Sequence, residues 1–219
     1  MIQSFHFLLP TKIRYGAGML RVLGEELRLL NAKKVMIITD KGVAGTGMIK
    51  AAADILNKEG IPFIIYDEIE ANPKDYNVEA CAEKVREEAA DTLVAFGGGS
   101  PIDAAKAVAV LARQGGRIRN YQGTGKIKDD CLPILTIPTT AGTGSEVTFS
   151  SVITDTTERF KFTIKSTAIA AKTAILDPEL TLTVPPLTTA ATGIDALTHA
   201  IEGYTARCTE PIAEALGLY

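Results

Sequence analysis

The sequence predicts an α/β fold, a parallel sheet flanked by helices, followed by the beginning of an all-helical region. Three observations predict it. Short β-branched runs alternate with longer segments of helical period, the pattern of parallel strands joined by helical crossovers. The composition, 46% hydrophobic over 219 residues with a formal charge of −3, is that of a chain able to bury a sizeable core. Beyond about Thr183 the strand signal stops and helical periodicity continues alone.

The opening FHFLLPTKIRYG reads as a pair of short strands around Pro10, outside the alternation, serving as an edge ribbon or an oligomer contact. Strands are predicted at Val35–Thr39, Phe63–Tyr66, Leu93–Phe96 and Ile134–Ile137. Between them lie helices at Gly47–Glu59, Asp75–Ala90 and Pro101–Arg113, each with apolar residues at three- and four-residue spacing and polar residues on the other face. Pro185 and Pro186 break the chain before LTTAATGIDALTHAIEGYTA, which puts a domain boundary there: residues 1–184, then 185–219. The second unit is too short to close a core of its own.

Several function classes are excluded as expectations. The basic residues are scattered rather than gathered into a phosphate-neutralising face, so nucleic acid is not an expected partner. No apolar run reaches the roughly 18 residues a bilayer helix needs, and MIQSFHFLLPTK lacks the features of an export signal, so no membrane association and a cytoplasmic location are expected. Cys81, Cys131 and Cys208 are odd in number and outside any C-x-x-C spacing; they read as reduced, small apolar residues.

The densest chemistry lies in LVAFGGGSPIDAAKAV, where a buried strand runs into Gly97, Gly98 and Gly99, then a helix. Glycines permit close backbone approach and positive φ, Ser100 is placed to cap, Pro101 suits the first helical position and Asp103 completes a capping box. The helix end so built either is simply a well-capped turn or holds a pyrophosphate on its free amides. Asp40, directly after the strand VMIIT, either caps a turn or accepts the two hydroxyls of an adenosine ribose, where it would repel a 2′-phosphate and favour NAD over NADP. In PILTIPTTAGTGSEVT a strand ends at Pro138 and continues as small hydroxyl and glycine residues; Thr139, Thr140 and Thr143 offer hydroxyls to a ligand or merely form a loop. Asp195 and His199, four apart on a predicted helix, share one face and form either an exposed pair or half a chelate for a divalent metal.

Together FGGGSPIDAAKA, IPTTAGTGSEVT, LDPELT and ATGIDALTHAIEGY, in that order, resemble the iron-containing, group III, alcohol dehydrogenases, and the likeness runs from IRYGAG to the last helix. The resemblance implies a Rossmann-like dinucleotide-binding domain (1–184) followed by the start of an all-helical metal-binding domain (185–219), the architecture of the dehydroquinate synthases. It implies NAD in the cleft between them, with Gly98, Gly99 and Ser100 on the pyrophosphate, Asp40 on the ribose, and Asn72, Asp103, Thr139, Thr140 and Lys161 on other parts of the cofactor. It implies that Asp195 and His199 are the first two of four ligands to Fe(II), alternatively Zn, which polarises the oxygen of a small alcohol or aldehyde substrate. A homo-oligomer, a dimer, is expected with it. Two further readings stay open: a glycerol dehydrogenase or dehydroquinate synthase-like enzyme, and a non-catalytic nucleotide-binding or oligomer-forming module.

Overall fold

The computed structural model describes residues 4–206 and 211–217; Cys208 lies outside the described residues. In chain order the strands are β1 (Lys12–Tyr15), β2 (Val35–Ile38), β3 (Phe63–Tyr66), β4 (Thr92–Gly97), β5 (Gly123–Thr124), β6 (Ile134–Pro138), β7 (Ser150–Asp155), β8 (Phe160–Lys165) and β9 (Thr173–Leu176). The helices are α1 (Leu23–Leu29), α2 (Lys41–Ala44), α3 (Met48–Glu59), α4 (Asp75–Glu87), α5 (Gly99–Gln114), α6 (Pro186–Thr205) and α7 (Pro211–Gly217), with short 3-10 turns between them.

Six strands form one all-parallel sheet in the order β1-β9-β6-β4-β2-β3. The two faces follow from side-chain alternation along the strands. Met36, Ile38, Leu93 and Ala95 point to the face covered by α4 and α5, while Val35, Ile37, Val94 and Phe96 point to the face covered by α1 and α3. Both faces being buried explains why these strands read as continuous apolar runs. The chain moves outward from β2 to β3, then returns to place β4 on the other side of β2. This reversal opens a crevice above the carboxyl ends of β2 and β4, the position at which open α/β sheets bind ligands.

The structure corrects several expectations. The ribbon around Pro10 does not form among the described residues; only its second half is a strand, β1, which pairs in parallel with β9 at the sheet's edge. His6 lies ahead of it, outside any strand. A second sheet, β5-β8-β7, is built mainly from the β7/β8 hairpin, which the sequence reading did not anticipate. Helix α5 begins at Gly99, two residues before the expected Pro101. The long helix expected after Pro185 is present as α6; none of its residues is buried, and Leu187, Ile194, Leu197 and Ile201 are exposed.

Candidate functional site

Above the crevice lies a cleft of about 1560 Å³, and the eleven residues that the resemblance assigns to cofactor or metal line it: Asp40, Asn72, Gly98, Gly99, Ser100, Asp103, Thr139, Thr140, Lys161, Asp195 and His199. They come from segments far apart in the chain, brought together by the parallel sheet.

The floor is the turn from β4 into α5. Gly97 has φ +152°, and a Cβ placed on it would meet Pro101 Cγ at 2.7 Å and Asp40 Oδ2 at 3.4 Å, so a glycine is required both by the backbone and by the space. The positive φ therefore falls on Gly97 and not on Gly98, whose φ is −76°. Gly98 is the N-cap of α5, and no side chain caps it. The expected capping box is absent: Ser100 Oγ instead accepts from the Asn72 N–H at 3.1 Å, and Asp103 Oδ2 accepts from the Val152 N–H at 3.0 Å. Helix starts leave backbone N–H groups without intrahelical partners, and with no side-chain cap this end presents them and the positive end of the helix dipole to the cleft.

Asp40, at the end of β2, is the N-cap of α2. Its Oδ1 accepts from the Val43 N–H at 2.9 Å, while Oδ2 lies over Gly97. Capping, one of the two alternatives weighed from the sequence, uses one oxygen of the carboxylate and leaves the other toward Gly97.

The outer wall is built on Asn72, which has a left-handed backbone with φ 53°. Its N–H donates to Ser100, its carbonyl accepts from Lys74 Nζ (2.8 Å) and Thr154 Oγ1 (3.3 Å), and its Oδ1 accepts from Lys161 Nζ at 2.7 Å. Asn72 thus ties the loop after β3 to both α5 and the β7/β8 hairpin. Neither Lys74 nor Thr154 was singled out from the sequence, because the hairpin that presents Thr154 was not read as strands.

The opposite wall is the Thr139–Gly144 loop. Thr139 is buried and its N–H donates to the Gly97 carbonyl at 3.0 Å; Thr140 and Thr143 pack against Gly98 and Gly99. Gly142 faces α6 so closely that a Cβ would lie 2.2 Å from the Thr192 carbonyl oxygen. His199 Nδ1 lies 3.3 Å from the Gly142 carbonyl oxygen, and Asp195 lines the cleft on the same helix. Among the described residues no group of three or more His, Cys, Asp or Glu is placed to hold a metal ion, so Asp195 and His199 do not form a complete metal site by themselves.

Two ionisable groups of α5 are perturbed here, Asp103 in the cleft wall and the buried Lys106 beneath it. Burial pushes the Asp103 carboxyl up, an effect opposed by the nearby Lys106 ammonium and by its hydrogen bonds. Burial likewise pushes Lys106 down to about 8, opposed by Asp103 and Glu146.

The sequence profile of the iron-containing alcohol dehydrogenases matches residues 10–178, well over half of the chain. The chain belongs to this family. It is 42% identical to choline dehydrogenase of Bacillus subtilis over 99% of its own length and 55% of that protein. It is 38% identical to 1,3-propanediol dehydrogenase of Citrobacter freundii over 99% of this chain and 56% of that protein. A crystal structure of 1,3-propanediol oxidoreductase superposes with a TM-score of 0.94 at 38% identity, covering 99% of this chain and 56% of that one. A sulfoacetaldehyde reductase from Bifidobacterium kashiwanohense, in complex with NAD+, superposes with a TM-score of 0.92 at 34% identity, over 98% of this chain and 57% of that one. The chain spans about half the length of the curated relatives it matches.

Proposed function

We propose that this chain is the nucleotide-binding part of an NAD-dependent alcohol dehydrogenase, and that the cleft between the sheet and α6 holds the dinucleotide. The observation that carries the reading is the pairing, at one crevice, of an uncapped helix start at Gly98–Ser100 with the free carboxylate oxygen of Asp40, 3.4 Å from where a Gly97 Cβ would stand. A pyrophosphate fits the first and ribose hydroxyls fit the second. The relative solved with NAD+ bound and the NAD-dependent methanol dehydrogenase of Bacillus methanolicus, 37% identical, support the same cofactor.

In this reading Gly98, Gly99 and Ser100 hold the pyrophosphate, Asp40 the adenosine ribose, and Asn72, Asp103, Thr139, Thr140 and Lys161 the remaining contacts. A bound nicotinamide supplies the acceptor or donor of hydride. The protein's own task is to fix it against the Thr139–Gly144 loop and shield it from water. Residues 1–184 form the dinucleotide-binding domain, and α6 opens the helical domain in which Asp195 and His199 face the cleft. The substrate class is a small alcohol or diol and its aldehyde, as the names of the relatives suggest. The site acts in the cytoplasm and the protein works as a homo-oligomer, a dimer.

The two-donor arrangement favours a second statement about the 219-residue chain as such: it binds nucleotide without turning over alcohol. The test is NADH formation from ethanol, butanol and 1,3-propanediol, run beside a titration of NAD. Binding without turnover is the expected result; turnover with stoichiometric metal bound would show that other residues of this chain complete the site.

A further inference from the structure

Lys106 is a fully buried ammonium to which the reading above gives no role. It sits on α5 with no exposed surface, one turn from Asp103 and otherwise among buried alanine, valine and isoleucine side chains of that helix. Burying a charge there is costly and an aliphatic side chain would fill the space, so its retention asks for a reason.

Its Nζ donates to the Ser145 carbonyl at 2.6 Å, Thr148 Oγ1 at 2.8 Å and the Ser150 carbonyl at 2.8 Å. Three acceptors match the three N–H bonds of an ammonium. All three lie within Ser145–Ser150, the stretch that follows the Thr139–Gly144 loop and ends on the first residue of β7. On one side of that segment Thr139, Thr140 and Thr143 line the cleft; on the other, Val152 and Lys161 do. The amine therefore grips the pivot between two walls of the cleft from beneath.

We propose that Lys106 is a positioning residue for the dinucleotide site, holding Ser145–Ser150 so that the threonine loop and the β7/β8 hairpin both face the start of α5. This rests on the cleft being the nucleotide site. Lys106 touches no ligand in this arrangement; it acts through the backbone it grips. The charged groups acting on it are Asp103, 3.9 Å away on its own helix, and Glu146 on the turn it holds. When the amine loses its proton, two donors and a lone pair face three acceptors, one bond is lost, and the pivot loosens.

The sign of the pH effect separates this role from general stabilisation. Because burial lowers the native pKa below that of the unfolded chain, both states hold the proton below about 8, and above it the unfolded state alone keeps it. The contribution of Lys106 to global stability thus rises with pH. Nucleotide affinity is expected to move the other way.

The experiment is a calorimetric titration of NADH into the full 219-residue chain from pH 6.5 to 9.5, with urea unfolding at each pH, for the wild type, Lys106→Met and Thr148→Val. The wild type should bind at neutral pH and weaken several-fold above pH 8, relative to Lys106→Met, while its unfolding midpoint does not drop. Lys106→Met, folded by circular dichroism, should bind about 10-fold or more weaker at pH 7, the loss of hydrogen bonds to a charged group, and show a flat profile. Thr148→Val, which keeps the lysine and removes one acceptor, should fall between them and serves if Lys106→Met does not fold. Wild-type binding with an unchanged affinity in a folded Lys106→Met or in Thr148→Val overturns the role of Lys106 alone. No NADH binding by the folded wild type at any pH overturns the reading of the cleft itself, and this proposal with it.

Discussion

Asp40 and Gly97 show how little chemistry separates a turn from a binding site. One Asp40 oxygen is spent on the Val43 N–H and the other faces the crevice. Replacing Asp40 with glycine should narrow a preference for NADH over NADPH by about 1–3 kcal/mol, since one charged contact then no longer opposes the 2′-phosphate. Paired calorimetric titrations check it; an unchanged ratio would place the ribose elsewhere. Gly97→Ala should cost about 1–3 kcal/mol in urea unfolding, because an L side chain there combines a disfavoured φ with a contact to Pro101. Cys81 is buried in the core between α4 and the sheet, which pushes its thiol far above the usual range, so in the native protein it should resist a thiol reagent at pH 8 and react on unfolding. Equal reaction rates with and without urea would contradict that burial. The glycine turn, Asp40 and the threonine string were legible from sequence because each sits directly after a strong strand signal. The capping box was misread because local spacing cannot reveal that Asn72 and Val152, remote in sequence, would claim Ser100 and Asp103.

Among the elements, strands β2, β4 and β6 were readable because burial on both faces makes them uniformly apolar, the edge strand β3 because it is a short β-branched and aromatic run, and three helices because each carries a one-sided apolar stripe. The β7/β8 hairpin escaped for a physical reason. FKFTIK alternates, but on the buried face of its partner SSVITD Ile153 is flanked by Ser151 and Asp155, so that half of the pair carries only one apolar residue of the expected alternation. Asp155 is held by the Arg119 guanidinium, which also stacks on Phe160, and this anchor lies 36 residues away in sequence. The close approach of α6 was equally hidden, since Gly142 reads as an ordinary loop glycine until Thr192 is seen against it. Gly142→Ala should push α6 off the threonine loop. Hydrogen exchange should then quicken across residues 186–205 and leave β4 unchanged; an unaltered α6 would mean that the contact does not hold the helix.

For the whole molecule, the sheet and its flanking helices form a closed core, whereas α6 leans on the cleft with an exposed apolar face. The chain should therefore bind divalent metal only weakly, as Asp195 and His199 are joined by no third His, Cys, Asp or Glu among the described residues. Elemental analysis after dialysis checks this, and one tightly held metal per chain would contradict it. The central claim is that the crevice above β2 and β4 is a dinucleotide site. Its most direct measurement is a calorimetric titration of NADH into the 219-residue chain and into Gly98→Val, both shown folded by circular dichroism. Saturable one-site binding by the first and none by the second is the expected result, because valine at Gly98 crowds Thr140 and fills the space before the start of α5. Equal binding by both, or none by the folded wild type, would place the nucleotide elsewhere or remove it altogether.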